Sequence, residues 1–291
     1  MKPTIIRSLT AALLLVAGTA SAQGDLHDRT RGEASPGTQA PTRESLMNAI
    51  QAASPTALFS LLEYGERVEC HECVPLLQHQ LLANDDARVR EIAAWWLRRR
   101  PFGFAAVYRE VRTVLATDAD PIRRARAAEA LGEFMDPHGV THLNAALADG
   151  DARVRLAAVR GLGRINAPTG NAAIARAMGD ADPQVRDAAV QQVMLVNFFT
   201  QHDALMERLD DDTAAVRRRA ALVIGQIRVP EAVPALAGLL AGDSDPMVRQ
   251  AAAWALGRVG GTDARNALTA QRTSESASLV RDAIEVALRM R

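Results

Sequence analysis

The stretch DPMVRQAAAWALG, residues 245–257, decides how this chain folds. Asp245 stands where a side-chain oxygen can accept from the first backbone N–H groups of a helix, and Pro246 follows at the first helical position, where a missing N–H costs nothing. Val248, Ala252, Ala255 and Val259 then return at helical spacing and share one face. Alanine on that face lets a neighbouring helix come close. The frame recurs as DARVREIAAWWLR from Asp86, DPIRRARAAEALG from Asp120, DARVRLAAVRGLG from Asp151 and DPQVRDAAVQQVM from Asp182. Two looser copies begin at Asp212 (DTAAVRRRAALVIG) and Ala277 (ASLVRDAIEVALR). The arginine of the frame falls at Arg90, Arg124, Arg155, Arg186, Arg217, Arg249 and Arg281, at intervals of 31 to 34 residues. A second apolar helix precedes each copy, as in GVTHLNAALADG (139–150) and EAVPALAGLLAG (231–242). Each unit is therefore a helical hairpin that cannot bury its faces alone and must stack on its neighbours.

The pattern Asp-Pro-x-Val-Arg-x-x-Ala-Ala-x-Ala-Leu-Gly resembles the HEAT-like repeats named after the phycobilisome lyases, over about Cys70 to Arg291. The resemblance implies an all-α fold, a right-handed α-solenoid of stacked helical hairpins of HEAT/armadillo-like type, with about seven repeats of ~32 residues. It also implies that the Asp and Arg columns form a hydrogen-bonded ladder between repeats, which assigns Asp86, Asp120, Asp151, Asp182, Asp245 and their arginines to structure; an anion-binding arginine row is the alternative. Activity does not follow from such a fold, since similar repeats serve non-catalytic scaffolds, bilin lyases and deoxyhypusine hydroxylases. A hydroxylase of this type resembles a di-iron site built from several His-Glu pairs, and the only such pair here is His71-Glu72. A bilin lyase would have to meet its chromophore and client, which an exported chain is poorly placed to do.

Export is the expectation from residues 1–22. Lys2 and Arg7 precede an apolar stretch from Leu9 to Val16, and small residues end at Ala20 and Ala22, the pattern of a Sec-type signal peptide cleaved after Ala22. That predicts a periplasmic or secreted protein. Residues 23–45, rich in Gly, Pro, Ser and Thr, read as a disordered linker, and 46–69 as an N-terminal helical cap with helices over about 43–52 and 55–64. The repeat domain then covers 70–291. Basic and acidic residues balance at 34 each, so no broad field for nucleic acid or anionic lipid is expected, and no later apolar run is long enough for a membrane span.

Both cysteines lie in RVECHECVPLL, residues 67–77. Val74 follows Cys73 where haem attachment would need histidine, and Cys70 and Cys73 with His71 or His79 make an incomplete zinc set. A thioredoxin-like role would need a sheet that is missing, and Glu69 and Glu72 disfavour a thiolate. A local structural disulfide is the main reading; a redox-active pair and, behind it, a metal or other ligand remain open. No nucleophile elbow or phosphate-cradling glycine loop occurs, and Gly132, Gly163, Gly225 and Gly257 are expected to serve close helix packing. No catalytic residue, cofactor or metal is assigned; His138 and His142, four apart, are expected to be solvated or half-buried.

A scaffold should bind along the second helices. Counting from the repeat valine as zero, positions +2, +6 and +9 are expected to face away from the core. Position +6 reads Trp95, Glu129, Arg160, Gln191, Leu222 and Trp254; Arg98, Arg99 and Arg258 join this candidate inner face. It is expected to hold a protein or extended peptide, with the alternative that Trp95 caps the solenoid and Trp254 fills a gap left by alanines. Arg98, Arg99 and Arg100 form a local basic spot. In QQVMLVNFFTQ (191–201), Met194, Phe198 and Phe199 replace the usual Ala-Leu-Gly ending, read as core repacking, with a bend in the superhelix as the alternative.

Overall fold

A computed structural model describes residues 41–52, 54–64, 68–100 and 103–290, with residues 62–64 described by their backbone alone. The expected signal peptide and residues 23–40 of the expected linker lie outside the described residues. Among the described residues the chain forms sixteen α-helices and no strand.

Seven hairpins follow the repeat frame. Their first helices are α3 (Cys73–Ala83), α5 (Phe104–Thr117), α7 (Gly139–Ala146), α9 (Asn171–Ala177), α11 (His202–Met206), α13 (Val233–Gly242) and α15 (Thr262–Gln271). Their second helices are α4 (Ala87–Arg98), α6 (Pro121–Phe134), α8 (Ala152–Ile165), α10 (Pro183–Gln192), α12 (Ala214–Ile227), α14 (Pro246–Val259) and α16 (Ser278–Ala287). Each second helix packs on its own first helix and on the second helices before and after it, which makes an α-solenoid. Ahead of them α1 (Arg43–Ala52) stacks on α3 and α2 (Pro55–Tyr64) on α4. The N-terminal pair thus continues the stacking pattern, and the last three residues of the expected linker, 43–45, are helical.

Local chemistry accounts for the helix starts. Asp86, Asp120, Asp151, Asp182 and Asp245 are N-caps, each accepting a hydrogen bond from the backbone N–H two residues on. Pro121, Pro183 and Pro246 occupy the first helical turn. The looser copies depart from this. The N-cap of α12 is Thr213 and not Asp212, and the N-cap of α16 is Ala277, which has no side chain to cap with.

The second helices touch through glycine and alanine. A Cβ placed on Gly132 would lie 2.7 Å from Gly161 Cα, one on Gly225 2.7 Å from Ala255 Cα, and one on Gly257 2.8 Å from Ala287 Cα. Backbone stands against backbone, so no larger residue fits there. The repeat valines Val89, Val154, Val185, Val216, Val248 and Val280 are fully buried on the face toward the first helices.

Arginines tie successive hairpins together, with a carboxylate other than the cap. Arg124 holds both oxygens of Asp149 at 2.8 Å, and Arg155 those of Asp180. Arg186 holds Asp211, Arg217 holds Asp243 and Arg249 holds Glu275 in the same two-pronged way. Each of these acids lies two residues before the N-cap of its helix and accepts the N–H of that N-cap residue. The second nitrogen arm of each arginine donates to carbonyls of its own hairpin turn. The expected ladder exists, but its acidic side is Asp149, Asp180, Asp211, Asp243 and Glu275, while the cap aspartates take no ladder arginine; Asp151 pairs with its own helix's Arg153 besides capping. The hydrogen bond from Arg124 holds the Asp149 carboxyl below its ordinary value; at Asp180, Asp211 and Asp243 burial opposes the same shift and the arginine and backbone donors outweigh it.

Candidate interaction surface

The side of the second helices turned away from the first helices is an accessible strip. None of the +6 residues is buried: Arg160 is exposed, while Trp95, Glu129, Gln191, Leu222 and Trp254 are half-buried. Position +9 does not belong to this strip. Gly132, Gly163 and Gly225 at +9 are buried in the seam between neighbouring second helices. The strip continues instead through +10, with Arg99, Glu133, Arg164, Leu195, Gln226 and Arg258 accessible in varying degree. Each second helix is flanked by another on both sides, so its buried arc is wider than that of a helix packed on one face, and +9 falls inside it.

The two tryptophans of the strip are built alike. The Arg99 guanidinium lies 4.7 Å from the Trp95 ring centre, and Arg258 lies 5.8 Å from that of Trp254, each arginine one turn further along its helix. The Trp254 ring also lies over Gly225 of α12, where its Cζ3 would be 2.7 Å from a Cβ. Trp254 therefore covers the gap beside a glycine with one part of its ring and remains accessible with another. Trp96, beside Trp95, is a core residue at 1% exposure.

Charged side chains bridge three layers between these ends. Arg164 of α8 donates to Glu133 of α6 at 2.7 Å and to Glu91 of α4 at 3.3 Å. Arg98 crosses from α4 to donate to the Glu133 carbonyl at 2.8 Å, so it serves the packing of α4 on α6 more than the open strip. Burial pushes the Glu133 carboxyl up, with neighbouring Glu91 adding to it and Arg164 and Arg98 opposing it. Burial likewise lowers Arg98. Glu129 accepts from Arg90 of α4 and is committed to that pair.

Between α10 and α11 the strip is interrupted. Met194 stands at +9, where the neighbouring repeats have glycine, and no such side chain fits the seam; α10 ends at Gln192 and Met194 turns to solvent. Leu195 is exposed, and Phe198 is 82% exposed with φ of 58°, a left-handed conformation that is unfavourable for an aromatic residue. The turn is pinned from behind: Asn166 accepts the Asn197 N–H at 2.7 Å, and buried Asn171 donates to the carbonyls of Asn197 and Phe198. This corrects the reading of the segment as core repacking. Of Met194, Phe198 and Phe199, only Phe199 packs inward, with its ring 6.5 Å from that of His202.

The family model for HEAT repeats matches residues 74–153, 140–197 and 202–289, well over half of the chain. The chain belongs to the HEAT-repeat family. Among solved structures, this HEAT chain is similar to YibA of E. coli, with 16% identity over 86% of this chain and 93% of that one and a TM-score of 0.55. It is similar to the S. pombe condensin Cnd3–Cnd2 subcomplex, with 17% identity over 83% of this chain and 36% of that one and a TM-score of 0.57. It also matches the CpcE–CpcF phycocyanin lyase complex of Nostoc sp., with 21% identity over 74% and 93% and a TM-score of 0.39. At these identities the likeness is one of fold. No curated protein matches the chain.

Within the HEAT frame, Cys70 and Cys73 sit just ahead of and at the start of α3, joined by a disulfide and both buried, with His71 and Glu72 exposed between them. His138 and His142 have separate partners: exposed His138 meets Asp136 at 2.7 Å, and half-buried His142 lies 3.4 Å from Arg112. Sequence reasoning missed Glu133, Arg164 and Leu195 on the strip and the ladder acids; Glu91 stands at +2, a position it expected to face away from the core without naming the residue. The acids had a visible signal, an Asp-x-Asp spacing that repeats at 118–120, 149–151, 180–182 and 243–245.

Proposed function

We propose that this HEAT-repeat chain is exported and works as a non-catalytic scaffold that holds a protein or an extended peptide along the accessible strip of its second helices. The observation that carries the reading is the strip itself: partly covered aromatics stacked under arginine near its two ends, with acidic, basic and apolar positions between them. Tryptophan, arginine and leucine at half-covered positions can bury area on a partner without first unfolding the solenoid. Export is supported by the pattern of residues 1–22, and the Cys70–Cys73 disulfide agrees with an oxidising compartment. Thiol exchange is the weaker reading, because attack on a disulfide needs access and both cysteines are buried.

The test begins with capture of a partner from periplasmic extract by residues 23–291. Arg160→Glu and Leu195→Glu, both exposed on the strip, are expected to weaken binding at least tenfold with little change in Tm. Arg109→Glu, exposed on first helix α5, is expected to bind as wild type. The opposite pattern would place binding on the first-helix side and overturn the proposal.

A further inference from the structure

Where the C-terminal ends of α12 and α14 meet α15 and α16 there is a cleft of about 270 Å³. Arg228, Arg258 and Arg265 reach it from three different helices or their caps, and no aspartate or glutamate lines it. This is unlike the ladder, where Arg217 and Arg249 each close on a carboxylate. Among the described residues no carboxylate lies within ion-pair distance of Arg228, Arg258 or Arg265; Arg265 donates only to the Leu288 carbonyl, and the Nε of Arg258 is buried with no hydrogen-bond partner. Three like charges around so small a space repel one another unless an anion sits between them. One wall is bare backbone. Gly260 and Gly261 lead into α15 with φ of 75° and 90°, angles that side-chain-bearing residues rarely adopt, and a Cβ on either would meet nothing within 4 Å. Gly261 is also the N-cap of α15 and offers no side chain to its first N–H groups. The remaining wall is apolar, with Leu268 and Leu288 on it.

We propose that this cleft binds an oxyanion of more than one negative charge, a phosphate group carried on a small apolar moiety. Guanidinium forks match phosphate oxygens in pairs, and a dianion offsets three cations better than a single carboxylate does. The leucines would take the carbon part of an ester. This inference does not rest on the scaffold reading, although Arg258 belongs to both surfaces.

Calorimetry on the full chain at fixed ionic strength, with inorganic phosphate and with hexyl phosphate, tests it. Saturable binding of both is expected, at least tenfold tighter for hexyl phosphate; equal affinity would support the oxyanion site but assign it to free phosphate. Arg258→Gln and Arg265→Gln should each weaken binding about tenfold, and Arg109→Gln should not. Hydrogen exchange on the unsubstituted protein keeps the test open should a variant fold poorly: either phosphate should slow the amides of residues 260–264. Absence of saturable binding with no change in that exchange, or binding that survives the combined Arg228→Gln, Arg258→Gln and Arg265→Gln substitution, would overturn the proposal.

Discussion

The first rung of the arginine ladder and the central one are made from the same repeat position and come out differently. In the centre, Arg186 and Asp211 are nearly sealed, with side chains 9% and 1% exposed, and the pair is closed by two hydrogen bonds. At the first rung the acid in the matching place, Asp118, is held by Arg123 of its own hairpin at 2.7 Å. Arg90 turns instead to a single oxygen of Glu129, whose side chain is 42% exposed. One residue decides this: position zero, valine in the central repeats, is Arg123 in the second repeat, and its guanidinium takes the acid that the ladder would use. A sealed rung transmits packing between hairpins, whereas an open rung lets water compete for both partners.

The largest expected effect is at the sealed rung. Asp211→Ala removes the buried carboxylate that takes two of the six hydrogen bonds of Arg186 and should cost about 3–5 kcal/mol in chemical denaturation. A loss below 1 kcal/mol would mean that Asp212, which also contacts Arg186, substitutes for it. Next is the seam between second helices. Gly132→Ala should destabilise by about 1–3 kcal/mol because its methyl meets backbone, while Gly238→Ala, in open space on α13, should be neutral or stabilise by up to about 1 kcal/mol. At the open rung, Glu129→Ala should cost no more than about 1 kcal/mol. Equal losses at Asp211 and Glu129 would dissolve the contrast.

Acid separates the ladder from the strip by sign. The carboxyls of Asp149, Asp180, Asp211 and Asp243 are lowered from 3.8, so the stability they contribute is present above that value and is lost as pH falls through their lowered values. Glu133 is raised from 4.5, so its contribution is present below that value and is lost as pH rises through its raised value. Glu133→Gln should therefore raise Tm at pH 7 and lose that gain below pH 4.5. A constant difference across pH would remove burial as the source of the shift. Smallest of all is Phe198→Asn, which suits the left-handed backbone better and gives up little buried area; a gain of about a few tenths of a kcal/mol is expected, and a loss would show that Phe198 packs.

Much of this molecule was legible before any coordinates. The number of hairpins, the capping aspartates, the prolines at helix starts and the glycine column follow from residues within a turn or two of one another, where helix geometry leaves little freedom. That the +6 column stays out of the core was legible for the same reason. What escaped was the strip's true edge at +10, since Arg164 and Glu133 join it only once a second helix is flanked on both sides. The early end of α10 also escaped, because Met194 is an ordinary helix residue until Gly163 and its neighbours show how narrow the seam is.

By itself, then, the sequence determined the repeat, its caps and its period, all products of hydrogen bonds and side-chain spacing inside one hairpin. Tertiary structure alone decided which carboxylate each ladder arginine takes, some 25 or 26 residues away, and why Arg90 takes Glu129 instead, 39 residues away. It also decided that Arg228, Arg258 and Arg265 meet in one cleft with no acid among them. Those choices depend on how one hairpin sits on the next, and that is set by how closely alanine and glycine let the second helices approach, a quantity summed over many contacts that no local motif spells out.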